Sequence, residues 1–171
     1  MMMTLLIDAV EERDVGIADV KGAYLLAEMK DLVLLKMVGP SVDILCDVNP
    51  EYKRYVTLEK GKKVIYLRLK KALYGCVQSA LLWYELYVSK LQEMGFELNP
   101  YDQCVANKII NGSQCTVGFW VDDNKISHKD PEVVSQVIKE IEEYFGKMVV
   151  TRGKEHSFLG MDIKMNDNKT V

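Results

Sequence analysis

Histidine is nearly missing from this 171-residue chain: His128 and His156 are the only two, and they lie far apart in sequence. Its four cysteines, Cys46, Cys76, Cys104 and Cys115, show no Cys-x-x-Cys spacing. A zinc site draws on closely spaced thiolates and imidazoles, so both shortages argue against one. The same cysteines outline no secreted disulfide framework and read as reduced, buried thiols. No apolar run reaches the ~18 residues of a membrane span. The opening Met1-Met2-Met3 has no basic flank and is soon followed by Asp8, Glu11 and Glu12, unlike a signal peptide. A cytoplasmic chain with no membrane partner is the expectation. Also lacking is an excess of positive charge, with 22 basic and 25 acidic side chains and a net charge of -3. A free-standing nucleic-acid binder usually carries a basic face that displaces counterions from phosphates. The balance argues against strong unaided binding but leaves room for a local stripe. Lys60, Lys62, Lys63, Arg68, Lys70 and Lys71 form such a cluster; it reads equally as a solvated strand edge protected by lysine.

What is present is a chain that is 49% hydrophobic, enough for one compact core and hardly for two. Repeats, low-complexity tracts and flexible linkers are not evident. Residues 4–13 form a short helix candidate, with Thr4 available as N-cap. Residues 14–20 read as a strand ending in a carboxylate, 22–29 as one or two helical turns, and 32–38 as an apolar strand stopped by Gly39-Pro40. The stretch from 43 to 55 reads as irregular. Strands at 55–58 and 64–69 flank a glycine-containing loop and form a hairpin. The clearest helix runs from Ser79 to Met94, with Ala80, Trp83, Tyr87, Leu91 and Met94 at helical spacing, Ser79 as cap and Gly95 as stop. Strands at 104–110 and 114–121 surround Asn111-Gly112, a strong hairpin signal. A shorter strand at 124–128 follows. Pro131 then opens a helix whose buried face carries Val134, Val137, Ile138, Ile141 and Phe145. Closing strands are expected at 148–151 and 158–164.

Setting aside the excursion from about 31 to 75, the order is strand, helix, strand, strand, helix, strand. This is the β-α-β-β-α-β order of a ferredoxin-like α+β sheet. In that layout the first two core strands run parallel, so their C-terminal ends share one sheet edge. Asp19 closes the first and Asp122-Asp123 follows the second, after the apolar run 115–119. Like charges ~4 Å apart repel by roughly 4 kcal/mol at an effective dielectric near 20, and a cation cancels that repulsion. Chance is the competing explanation for an Asp-Asp pair, usually in a solvated turn. Three carboxylates without histidine or thiol suit a hard ion such as magnesium or manganese. Two such ions and a nucleoside triphosphate would make a site for in-line displacement at phosphorus.

At these residues the chain resembles the reverse transcriptase of copia-type long-terminal-repeat retrotransposons. Residues 19–25, Asp-Val-Lys-Gly-Ala-Tyr-Leu, resemble the family's Asp-Val-Lys-x-Ala-Phe/Tyr-Leu segment. Residues 70–80 resemble its Leu-Tyr-Gly-x-x-Gln-x-Pro stretch, with Trp83-Tyr84 following. Trp120-Val121-Asp122-Asp123 resembles the Tyr-Val-Asp-Asp box, and residues 158–163 the Phe-Leu-Gly-x-x-Ile continuation. Four blocks in the right order make the likeness specific.

The resemblance implies RNA-directed DNA polymerase activity: nucleotidyl transfer onto a primer 3′-hydroxyl, with two magnesium ions (manganese in their place) held by Asp19, Asp122, Asp123 and the Val20 carbonyl. Tyr24 matches the family's steric gate against ribonucleotides, or is an ordinary core tyrosine. Gly75 and Gln78 match the nucleotide pocket, Gln78 equally a helix-capping residue. Trp120, Phe158, Leu159 and Gly160 match primer-contacting positions, with packing as the other role. Implied partners are an RNA or DNA template with its primer, deoxynucleoside triphosphates and further polyprotein segments, with virus-like particles and the nucleus as the family's locations. The match implies a palm with part of the fingers, at about 31–75, the N-terminal fingers, thumb, RNase H and integrase being absent. Trp120 departs from the family's tyrosine and Ser79-Ala80 from its small-residue-proline pair. Asn124-Lys125 puts polar groups where aliphatics are usual, an expected weakness in the hairpin. A catalytically silent nucleic-acid-binding or interaction remnant is the alternative. Another palm-type nucleotidyl transfer enzyme, such as a cyclase, is disfavoured by residues 70–84.

Overall fold

A computed structural model describes residues 2–166 and 169–171. The first helix, α1 (Met2–Val10), is followed by β1 (Asp14–Asp19) and the single turn α2 (Ala23–Leu26). Then come β2 (Leu34–Val38), α3 (Pro40–Val48), a 3-10 helix (Pro50–Tyr55), β3 (Thr57–Glu59) and β4 (Lys62–Arg68). The second half contains α4 (Ser79–Glu93), β5 (Glu97–Leu98), β6 (Val105–Ile110), β7 (Ser113–Trp120) and β8 (Asp123–His128). It ends with α5 (Pro131–Phe145), β9 (Val149–Arg152), β10 (Glu155–Phe158) and β11 (Met161–Lys164).

The main sheet has the order β5-β6-β7-β8-β1-β9. Each neighbouring pair is antiparallel. Because β1 and β7 both run against β8, they point the same way and end at the same edge, as the expected topology requires. One face carries α4 and α5, whose Trp83, Tyr87, Leu91, Val134, Ile141 and Phe145 fill the core. Trp83 meets Phe145 edge-on with ring centres 5.1 Å apart. Gly16 is where α5 rides closest to β1: a Cβ there would stand 3.0 Å from Ile138 Cδ1 and 3.2 Å from Val134 Cγ1. Alternation along β1 sends Ile17 to the opposite face, against a small cluster of Leu5, Phe158 and Ile163. That face is covered by α1 and the β10–β11 hairpin.

A second, three-stranded sheet, β2-β4-β3, carries its own small cluster of Val42, Cys46 and Ile65. Among the described residues no helix is long and apolar enough to cross a membrane.

Several local expectations are corrected. Thr4 lies inside α1, so it is no N-cap, and Arg13 falls beyond that helix. Residues 43–48 and 50–55 are helical rather than irregular, with extended Asn49 between them. Pro40 sits at the first position of α3 after Gly39 at φ 66°, so the Gly-Pro pair starts a helix as well as stopping a strand. Ser79 does not cap α4 either, since Gln78 holds that place without a side-chain hydrogen bond. The Ser79 hydroxyl instead donates to the Leu73 carbonyl (2.7 Å) and accepts from the Leu73 N–H (3.1 Å), tying down the 73–79 loop. Residues 158–164 do not form one strand: Leu159 (φ 51°) and Gly160 (φ 74°) turn the chain between β10 and β11. By contrast Asp130 caps α5 by accepting from the Glu132 N–H (2.9 Å), and Asn111-Gly112 turns with both φ positive. The cysteines are free, with Cys46 and Cys115 buried but Cys76 and Cys104 only half-buried.

Candidate functional site

Asp19 closes β1 directly across from Asp123 at the start of β8, and Asp123 in turn pairs with Trp120 at the end of β7. Only Val121 and Asp122 separate β7 from β8. Two-residue hairpin turns favour glycine or asparagine, because at least one residue needs positive φ. Here Val121 takes that conformation, at φ 54°. A β-branched residue there is strained by roughly 1–3 kcal/mol and persists only where its surroundings over-determine it.

The surroundings do so. The Trp83 Nε1–H of α4 donates to the Val121 carbonyl (2.6 Å), and the Val20 N–H donates to the Asp122 carbonyl (2.9 Å). Asn124 Nδ2 donates to the carbonyls of Asp122 (2.9 Å) and Ala18 (3.3 Å). Its Oδ1 accepts from the buried Tyr87 hydroxyl. Asn124 therefore stitches the hairpin to both β1 and α4. Lys125, wholly buried on the other face, forms an ion pair with Asp8 of α1, which is equally buried. The expectation that Asn124-Lys125 weakens this hairpin is corrected: both side chains hold it in place.

All three carboxylates are half-buried. Burial raises the Asp123 carboxyl above its ordinary range, and the charges of Asp122 and Asp19 raise it further. The Tyr74 hydroxyl is raised too, by burial first and then by Asp122, Tyr24 and Asp19. Tyr24 and Tyr74 pack with ring centres 4.5 Å apart. A pair of tyrosines therefore stands beside the acidic cluster, of which Tyr74 was not among the expected site residues. The signal was available: Tyr74 lies in the same block as Gly75 and Gln78.

The remaining expected residues are dispersed. Gly75 (φ 95°) lies in the loop before α4, and Gln78 is half-buried at that helix's start. Val20 is buried just past β1, and Trp120 is 58% exposed on the rim. Phe158 is buried against Leu5 and Ile163, so its ring is a packing group; Leu159 and Gly160 are exposed at the hairpin tip. Of the lysine-rich cluster, Lys63 pairs with Asp43 and Lys71 approaches Glu28.

Among the described residues, no three His, Cys, Asp or Glu side chains form a ready cluster for a metal ion. The donors still fit magnesium, which takes one or two carboxylates and fills its octahedron with water and substrate phosphate. The mutually opposed charges at Asp123 are the feature that a cation would relieve.

A family model described as reverse transcriptase (RNA-dependent DNA polymerase) matches residues 1–170. The Transposon Ty1-BR Gag-Pol polyprotein of Saccharomyces cerevisiae is 28% identical over 157 residues, which cover 88% of this chain and 8% of that polyprotein. The truncated transposon Ty1-A Gag-Pol polyprotein of the same yeast is 27% identical over 157 residues, covering 88% of this chain and 11% of the relative. Among solved structures, an apo telomerase from Candida tropicalis, truncated from its C-terminal domain, aligns with 96% of this chain and 37% of its own. The TM-score is 0.49 and the identity 13%.

Proposed function

The chain belongs to the reverse transcriptase (RNA-dependent DNA polymerase) family, of the copia retrotransposon type, and we propose that Asp19, Asp122 and Asp123 are its catalytic, metal-binding triad. The observation that carries this is the register of Asp19 opposite Asp123, with the Val20 N–H bound to the Asp122 carbonyl. Residues more than a hundred positions apart thereby share one sheet edge. The strand order β7-β8-β1-β9 with α4 and α5 on one face supports a ferredoxin-like palm. The three-stranded sheet between α2 and α4 is then the partial fingers.

Magnesium ions, when bound, would supply the Lewis acid and charge neutralisation for in-line attack of a primer hydroxyl on a triphosphate. Asp19 and Asp122 would be the principal ligands, with the Val20 carbonyl beside them. Asp123, raised in pKa by burial and then by Asp122 and Asp19, would act from a secondary position. The Tyr24–Tyr74 pair would wall the sugar side, and Tyr24 would exclude a 2′-hydroxyl sterically. Gly75 and Gln78 would line the nucleotide pocket, and Trp120, Leu159 and Gly160 the primer side. Template, primer and deoxynucleoside triphosphates would be the substrates. The fuller polyprotein would supply the surfaces that grip them, since this chain spans 8% and 11% of the two yeast relatives.

Primer extension on an RNA template with magnesium tests the assignment. The unmodified chain should incorporate deoxynucleotides, and Asp122→Asn should lose at least about 10²-fold, the scale of removing one electrostatic stabiliser of a transition state. Equal incorporation by the two proteins would sink the triad.

A further inference from the structure

Asn124 is wholly buried, and both hydrogens of its side-chain amide are committed to the carboxylate hairpin. Nδ2 donates one to the Asp122 carbonyl (2.9 Å) and the other to the Ala18 carbonyl (3.3 Å). Ala18 immediately precedes Asp19, so one amide group clamps together the two chain segments that carry Asp19 and Asp122. A backbone carbonyl can only accept, so a single orientation of the amide serves both. The wholly buried Tyr87 hydroxyl fixes that orientation by donating to Oδ1. One turn earlier on α4, the Trp83 Nε1–H holds the Val121 carbonyl (2.6 Å). Helix α4 thereby grips the turn on either side of the paired aspartates.

Asp19 and Asp122 bear like charge, and their repulsion pushes the two segments apart. An aliphatic side chain at 124 would fill the space but offer neither donor. We propose that Asn124 is a positioning residue: through the Asp122 and Ala18 carbonyls it sets the spacing of Asp122 against Asp19 that a shared divalent cation needs. Its side chain touches neither carboxylate, and Tyr87 acts one hydrogen bond further out. The inference rests on the triad proposed above. Removing an outer partner of this kind typically weakens metal affinity roughly 10–100-fold.

Manganese binding, read from the loss of the free-ion electron paramagnetic resonance signal, tests this without calling on polymerase activity. Asn124→Leu should weaken binding at least about tenfold. Tyr87→Phe, which keeps the clamp but leaves it unsteered, should weaken it by a smaller factor. Leu5→Ala opens a cavity in the small cluster on the far face of the sheet, destabilising the fold by another route. It should leave manganese binding unchanged. Circular dichroism sets a temperature at which the compared chains are folded. Should Asn124→Leu not fold at all, Tyr87→Phe carries the test, and unchanged binding by it would overturn the proposal. So would unchanged binding by folded Asn124→Leu, or an equal loss in Leu5→Ala. Asp122→Asn separates the two readings. Loss of binding there, with none in Asn124→Leu, sinks the positioning role alone. Binding that is absent from the unmodified chain, or unmoved by Asp122→Asn, removes the triad and this proposal with it.

Discussion

Burial first, and then the charges of Asp122 and Asp19, raise the pKa of Asp123, so in the absence of a cation its ionised form works against folding. Asp123→Asn should therefore stabilise the metal-free protein by roughly 0.5–1 kcal/mol, the usual gain from removing a functional conflict, while reducing catalysis. Thermal unfolding with and without magnesium checks this: magnesium should raise the melting temperature of the unmodified chain more than that of the variant. Lys125 presents the opposite case. It is fully buried and paired with fully buried Asp8, and removing one partner would strand the other charge. Asp8→Asn should cost about 3–5 kcal/mol, because the buried Arg13 (4.0 Å from Asp8) loses the same carboxylate as Lys125, whereas Asp8→Leu combined with Lys125→Met should cost less, since Arg13 keeps Glu11. Urea unfolding of both variants separates those outcomes. The carboxylates were legible from sequence because strand ends and a doubled aspartate are local signals. Lys125 was misjudged because its partner lies 117 positions away, and nothing near residue 125 announces it.

Elements with local grammar were readable, and those whose form depends on a distant surface were not. Asn111-Gly112 and Asp130-Pro131 carry their own turn and cap chemistry, so β6, β7 and α5 were expected close to their observed bounds. Pro40 has two meanings, strand stop and helix start, and only the packing of Val42 and Cys46 on Ile65 decides for α3. Two predictions belong at this scale. Gly16→Val should cost about 1–3 kcal/mol in urea unfolding, because its branch would be forced against Ile138 and Val134 where α5 lies closest to β1. His156 of β10 is buried with neither ring nitrogen hydrogen-bonded, and loss of hydration lowers its pKa below 6.5 despite the opposing charge of Asp14. Between that lowered value and 6.5 the unfolded chain binds more protons than the native one. Stability should then fall as pH drops below 6.5 and stay level with respect to this group above it. Unfolding midpoints measured from pH 5 to 7 should show this slope in the parent chain and lose it in His156→Leu.

The molecule as a whole has one large core and two small ones, and cooperative units follow buried contacts. The β2-β4-β3 sheet, anchored by three fully buried apolar residues, should exchange its amide hydrogens well before β1, β7 and β8 do. Hydrogen exchange read by mass spectrometry would show the reverse if that sheet were integral to the main core. The composition pointed to one core and gave no hint of this division, because apolar content counts residues without locating them. One feature of the main sheet reaches into how the protein is made. Strand β1 is flanked by β8 and β9, so its partners begin with Asp123. A ribosome adding about 5–20 residues each second leaves β1 unpaired on both edges for several seconds after its synthesis. Copies of the gene interrupted between those points would yield chains with two bare, apolar strand edges, prone to stick to one another and to need chaperones.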